Sequence, residues 1–311
     1  MRWFGFGFNA FAQICVPEKS EKEESNSAVG QEKVCDPVEL VNHVGRSKIR
    51  ASWSRRASLF LDGVNLPLVP GGYISSKPPI FRSLSSHFQA KSLALGGEHA
   101  ILLTAAGAVY TWGQGSHGQL GHGGLIPEEE PRRLEALWGM PIRSVAAGGW
   151  HSVCVGDGGD LYVWGWNESG QLGLPSRGLR KASQQKSDQQ AELHEEVFIS
   201  IQAFPALVDV SPSCEISTVS CGSRHTAAVT TTGYLYTWGW GEYGQLGHQT
   251  TSSLDEPQCV EFFRNKNLHV VDVVCGSWNT FTTAVKKEVL GLKNVPELPP
   301  VSTGNELWTT C

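Results

Sequence analysis

One stretch of sequence recurs three times without a gap, and no other property of the chain limits its fold as much. Residues 93–123 (LALGGEHAILLTAAGAVYTWGQGSHGQLGHG), 145–175 (VAAGGWHSVCVGDGGDLYVWGWNESGQLGLP) and 219–249 (VSCGSRHTAAVTTTGYLYTWGWGEYGQLGHQ) align position for position. His99, His151 and His225 coincide. So do Gly107, Gly159 and Gly233, then Trp112, Trp164 and Trp238, then the Gly-Gln-Leu-Gly quartets at 118–121, 170–173 and 244–247. The histidines are 52 and 74 residues apart. A unit of this size cannot bury its own apolar face, so the copies must pack on one another as a solenoid, propeller or array.

Each copy holds two short apolar runs around a glycine-containing turn. In the third they are Thr226–Thr230 and Tyr234–Trp238, with Thr231-Thr232-Gly233 between them. β-branched and aromatic residues on both sides of such a turn predict a β-hairpin. The Trp-Gly and Gly-Gln-Leu-Gly segments that follow are too rich in glycine for helix. Small Trp-bearing sheets at this period point to an all-β chain, a β-propeller whose blades bury Trp and Leu between them.

Weaker copies extend the ring. Val274-Cys275-Gly276-Ser277-Trp278-Asn279-Thr280 matches Ser220–Thr226, with Asn279 in the histidine slot, and then stops short of a Trp-Gly half. Phe6–Ile14 matches Trp164–Leu172 and is a Trp-Gly half without a first half. The two ends are complementary, and we expect them to share one blade, closing the ring and removing its sheet edges. A degenerate copy spans Ile49–Gly63, with Arg55 in place of histidine and Gly63 at the turn. About five blades are countable in this way.

The repeats make residues 1–285 a single propeller domain, in which a chain of 311 residues buries on the order of three quarters of its surface. Polar stretches at 17–34 and 176–196 read as flexible loops, the second accounting for the longer spacing, and 286–311 as a disordered tail. A net charge of −5 gives no basic footprint for DNA or an anionic membrane. No apolar run reaches the roughly 20 residues needed to span a bilayer. Asn9 and Gln13 interrupt the aromatic N-terminus, which the repeat match explains better than a leader would. None of the eight cysteines forms a C-x-x-C pair, so they read as small buried side chains in a reducing compartment.

Catalytic, cofactor and metal sites are all read as absent. No Ser/His/Asp set, phosphate-cradling loop or carboxylate pair stands out. Three recurring histidines invite a metal reading, but each opens a strand of a different blade, so each ring is expected to hydrogen-bond backbone in its own blade. His99, His151, His225, Trp112, Trp164 and Trp238 are therefore structural. Binding is assigned to residues that vary between copies. Glu98, Trp150, Arg224 and Trp278 stand just before the histidine slot, and Trp166, Asn167, Glu168, Trp240, Glu242 and Tyr243 follow Trp-Gly. Trp, Tyr and Arg are enriched where proteins bind each other.

The order Gly-x-x-His-Thr, Gly-x-Leu-Tyr-x-Trp-Gly-x-Gly, Gly-Gln-Leu-Gly within Gly222–Gly247 resembles the repeat of the regulator of chromosome condensation family. The match is full at 93–123, 145–175 and 219–249 and partial at 4–14, 49–63 and 274–285, about half the chain. Family propellers usually have seven blades. Trp3–Gln13 and Ala146–Leu172 bring the chain nearest to a small vertebrate member. That resemblance implies a nuclear, chromatin-associated, non-enzymatic adaptor. Its partner would be a JmjC-domain oxygenase acting on histone H3 methyl-lysine, with histone H3 itself as a further partner and a role in chromosome segregation. The rival that the resemblance brings is nucleotide exchange on a small nuclear GTPase. The founding member uses acids in the Gly-x-x-His turns, where this chain keeps only Glu98. Direct histone or nucleosome binding is the third reading, through Arg177, Arg180, Lys181 and Lys186.

Overall fold

Strands make up nearly all of the regular structure in the computed structural model, which describes residues 2–8, 33–39, 47–51, 56–60, 72–74, 81–83, 86–176, 178–179, 197–210 and 214–287. In chain order they are β1 (Arg2–Phe8), β2 (Lys33–Glu39), β3 (Ser47–Ala51), β4 (Arg56–Phe60), β5 (Gly72–Ile74) and β6 (Phe81–Ser83). Next come β7 (Ala90–Leu95), β8 (His99–Thr104), β9 (Val109–Gly113) and β10 (Glu128–Arg133). They are followed by β11 (Ile142–Ala147), β12 (His151–Gly156), β13 (Leu161–Trp166) and β14 (Ile201–Val208). The last six are β15 (Ile216–Cys221), β16 (His225–Thr230), β17 (Leu235–Gly239), β18 (Leu254–Cys259), β19 (Leu268–Cys275) and β20 (Asn279–Lys286).

Each full copy forms one antiparallel four-stranded blade: β7 to β10, β11 to β14 and β15 to β18. The second strand of each, at β8, β12 and β16, is buried along its whole length, as its apolar run requires. The first strands touch from blade to blade, β7 to β11, β11 to β15 and β15 to β19, which sets them at the axis. The fourth strands are outermost, and each has a proline, tolerated there because an edge strand can do without one N–H. Gly165, where β13 turns away, has φ +110, and a Cβ there would lie 2.5 Å from the Trp150 carbonyl oxygen. Only glycine fits both conditions.

The fourth blade is the shared one. Its order is β19-β20-β1-β2, with Phe4 opposite Thr282 and Phe6 opposite Thr280. Phe4 and Phe6 enter one apolar cluster with Val229, Phe263, Val270 and Phe281, so the chain's beginning fills a core built at its end. The expected loop at 17–34 needs correction at its end. Lys33 and Val34 open β2, because Val34 is pulled into that same cluster. Lys286, placed at the head of the tail, ends β20. The degenerate copy at 49–63 is met as a hairpin, β3 paired with β4, and β3 packs on β19. Arg55 and Gly63 lie outside the described residues, as do most of the two expected loops and the tail.

A repeated latch joins the blades, and it corrects the expectation for the histidines. Each buried ring bonds to the neighbouring blade through a hydroxyl: His99 Nε2 to Ser152 Oγ at 2.8 Å, His151 to Thr226 and His225 to Thr280 at 3.0 Å. Each hydroxyl in turn donates back to the preceding blade, to the carbonyls of Gln119, Gln171 and Gln245. The Trp164 and Trp238 indoles donate to the first two of those carbonyls at 2.9 and 3.0 Å. The Gln side chains accept from the backbone N–H groups of His117, Ser169 and Tyr243 and fix the turn that presents the carbonyl. Burial lowers the imidazoles to about 4 for His99 and about 3 for His151 and His225, so they stay neutral.

Trp238 is fully buried. We predict that Trp238→Ala costs about 3–5 kcal/mol. Trp238→Phe, which keeps most of the packing and removes the indole donor, costs about 1 kcal/mol more than a purely apolar loss would. Urea denaturation of both variants checks the order; a Trp238→Phe midpoint equal to that of the wild type would place the whole effect outside the latch.

The described cysteines, Cys35, Cys154, Cys214, Cys221, Cys259 and Cys275, are free thiols. Only Cys154 is fully buried, and the others are part exposed, a correction to their reading as buried side chains. Burial raises the Cys154 thiol far above its ordinary range and the Cys259 thiol to about 11, which keeps both protonated and unreactive.

Candidate protein-binding face

The residues just before each histidine and just after each Trp-Gly lie side by side because of backbone pairing. The N–H groups of Gln114, Trp166 and Trp240 donate to the carbonyls of Glu98, Trp150 and Arg224. Equivalent slots therefore emerge on one face of the ring, near the axis, where Gly97 donates to Gly148, Gly149 to Ser223, and Ser223 to Ser277. The approach is close enough that a Cβ on Gly148 would meet the His151 ring at 2.1 Å and the Gly222 oxygen at 2.7 Å.

Two aromatic groups stand on this face. Trp150 and Trp166 meet edge to face at 5.5 Å, and His117 touches both, at 6.1 and 5.4 Å. Glu98 accepts from the Trp150 indole at 3.4 Å, and the Arg224 guanidinium lies 4.8 Å over Trp166. The second group is Trp240, Tyr243 and Trp278, with ring centres 4.8–6.1 Å apart. The Lys33 ammonium sits 5.4 Å over Tyr243. These aromatics are half-buried, and Glu98, Glu168 and Glu242 are exposed beside them. The rings are braced by one another, so little side-chain freedom remains to be lost on binding.

Nine of the ten residues assigned to binding from sequence reach this face or its exposed turns. Asn167 does not, and its assignment is corrected. It is wholly buried, its amide donating to the carbonyls of Leu174 and Ile199 while its oxygen accepts from the Leu172 N–H. An amide with three backbone partners holds a turn together. Sequence reasoning missed two members. His117 occupies the slot of Tyr243 in the aligned copies, a signal that was available. Lys33 had none, since only the pairing of β1 with β2 brings it there. Among the described residues, no three His, Cys, Asp or Glu side chains are grouped to hold a metal ion.

Comparison with known proteins agrees with this architecture. The Regulator of chromosome condensation (RCC1) repeat matches residues 106–155, 158–229 and 232–282, and a second description of it matches 90–119, 142–171 and 216–245. Human RCC1 domain-containing protein 1 is 52% identical over 240 residues, 71% of this chain and 64% of that protein. The chain thus spans less than two thirds of that relative's length. The crystal structure of Saccharomyces cerevisiae Prp20p, described with its binding properties to Gsp1p and histones, superposes with a TM-score of 0.53 at 25% identity, over 64% of this chain and 44% of that one. Human WBSCR16 superposes with a TM-score of 0.53 at 18% identity, over 92% and 99%, a likeness of fold alone. Gapless repeats, four-stranded blades and one blade shared between the chain's two ends converge on one assignment: the chain belongs to the regulator of chromosome condensation (RCC1) repeat family.

Proposed function

We propose that this chain is a non-enzymatic adaptor that binds a protein partner through the aromatic face of its propeller. The observation that carries the reading is the pair of braced aromatic groups around Trp150–Trp166 and Trp240–Trp278, each with a charged side chain in contact. Half-buried Trp, Tyr and Arg on a rigid scaffold have the composition of binding hot spots. The likeness to human RCC1 domain-containing protein 1 supports the finer reading. In it the chain works in the nucleus on chromatin, engages a JmjC-domain histone H3 methyl-lysine oxygenase, and supports chromosome segregation.

Affinity purification from nuclear extract tests this. The wild-type chain is expected to recover the oxygenase. The double variant Trp150→Ala/Trp240→Ala, with an unchanged melting profile, is expected to lose at least about tenfold in recovery, since a hot-spot truncation costs 2 kcal/mol or more. Wild-type purification without any chromatin factor, from cells that express the chain well, would overturn the reading.

The likeness to Prp20p, described with its binding to Gsp1p, favours one alternative, nucleotide exchange on a small GTPase. Against it, Glu98 is the one acid in the four slots preceding the histidine positions. Nucleotide release above background at micromolar protein would reverse the order of the two readings. For direct nucleosome binding, all four basic residues that suggested it, Arg177, Arg180, Lys181 and Lys186, lie outside the described residues.

A further inference from the structure

The four blades act as controls for one another at their rims. Their outermost strands align on Pro37, Pro131, Pro205 and Pro257. The residue before that proline is Asp36, Glu130 and Glu256 in three blades and Phe204 in the second. Two positions after it stand Glu39, Arg133 and Cys259, against Leu207 in the second blade. Phe204 is 54% exposed, Leu207 53% and Ile201 39%. Where the other rims are charged or half-buried, this one is open and apolar.

The patch continues across the blade boundary. Gly123 donates to the Ala203 carbonyl, and a Cβ on it would meet the Phe204 ring at 2.1 Å. Leu125 and Ile126 follow at 50% and 68% exposure. The turn Glu135–Leu137 packs on β14 and leads into Trp138, 70% exposed. Among the described residues, the strongly exposed large apolar side chains outside these first two rims are Leu95 and Val271 alone, once Val197 just ahead of β14 is counted with them. A concentration of this kind marks a contact surface.

The geometry also limits what binds. The free edge of β14 is interrupted by Pro205, which has no N–H, so a partner strand cannot pair along it. The ligand must engage side chains instead, as a helix does with residues at i, i+3, i+4 and i+7. Its charge is set by a cleft of about 270 Å³ at the end of the strand. Leu207 belongs to both patch and cleft, Asp160, Asp209 and Glu215 line the cleft, and among the described residues no Lys or Arg does. The nearby Arg143 guanidinium is bound to the Ile216 carbonyl.

We infer that the rim of the second blade docks a basic amphipathic helix of a partner protein. Its apolar side lies on Ile201, Phe204 and Leu207, and a Lys or Arg reaches the three carboxylates. This surface borders the aromatic face where Ile201 pairs with Trp166, but Phe204 and the three cleft carboxylates that its test changes are not part of that face, so the two readings are tested independently.

The test uses the full chain and three stapled helical peptides with one apolar face and a polar face of Lys/Arg, Gln or Glu, measured by fluorescence anisotropy. Affinity is expected to fall in that order. Phe204→Glu, which installs the acid that two other blades carry at this position, should weaken the basic peptide by at least about tenfold. Asp160→Asn/Asp209→Asn/Glu215→Gln should erase the preference for the basic peptide while leaving the Gln peptide unchanged. Both variants alter exposed side chains, and a melting profile like that of wild type confirms that they fold. The proposal is overturned by an acidic peptide binding as well as the basic one, by no binding of the basic peptide at 100-micromolar order, by indifference to Phe204→Glu, or by sedimentation showing a dimer that Phe204→Glu dissolves.

Discussion

A chain lacking residues 2–8 is expected to lose its cooperative unfolding transition at room temperature. β1 is an interior strand of the fourth blade, hydrogen-bonded to β20 on one side and β2 on the other. Its removal takes away two ladders and the side chains of Phe4 and Phe6, 2% and 0% exposed. Each buried phenylalanine accounts for about 3–5 kcal/mol. Their combined loss is of the same order as the whole stability of a typical domain, about 5–15 kcal/mol. The measurement is circular dichroism through a thermal ramp. A synthetic peptide of residues 2–8, added in excess, should restore part of the transition by filling the gap between β20 and β2. A truncated chain that melts cooperatively at the wild-type temperature would show that the blade stands without its first-made strand.

The second large effect is acid sensitivity from the latch histidines. In the folded state their imidazoles titrate at about 4, 3 and 3, against 6.5 when free of the fold. Between those values the unfolded chain binds more protons, so stability is fully present above pH 6.5 and declines as pH falls towards 4. At pH 5 the loss is about 2 kcal/mol for each histidine, about 6 kcal/mol in total. The urea midpoint at pH 5 should therefore lie well below that at pH 7. A variant carrying Gln at 99, 151 and 225 should be less stable at pH 7 and should show little of this slope. A wild-type midpoint that is the same at both pH values would contradict the assignment.

The middle strands of each blade were legible because their apolar runs flank a glycine turn, and Thr226–Thr230 and Tyr234–Trp238 coincide with β16 and β17 to within a residue. The shared blade was legible from two half-motifs, one at each end of the chain. The outer strands were not. Segments such as EEEPRR carry charge and a proline, and become strands only because the Trp-Gly strand offers them an edge. The latch was half visible. Ser152, Thr226 and Thr280 each follow the histidine slot, while Ala100 stands there in the first copy, yet their partners belong to a neighbouring blade that no local spacing names. The same holds for Lys33 on Tyr243, and for Asn167, whose exposed-looking context hides three backbone partners. Sequence periodicity reports which slot a residue occupies; what lies across from that slot is decided by the ring.

The seam between β1 and β20 has a consequence for biosynthesis. Phe6 is translated about 270 residues before Thr280, the residue it pairs with. At ordinary ribosome speed that is a wait on the order of tens of seconds. For most of it, an aromatic segment made to be an interior strand has at best β2 beside it and lacks β20. Pairings this remote in sequence are intrinsically slow to form and expose the nascent chain to aggregation, so the cell must shelter the opening segment until the last hairpin arrives.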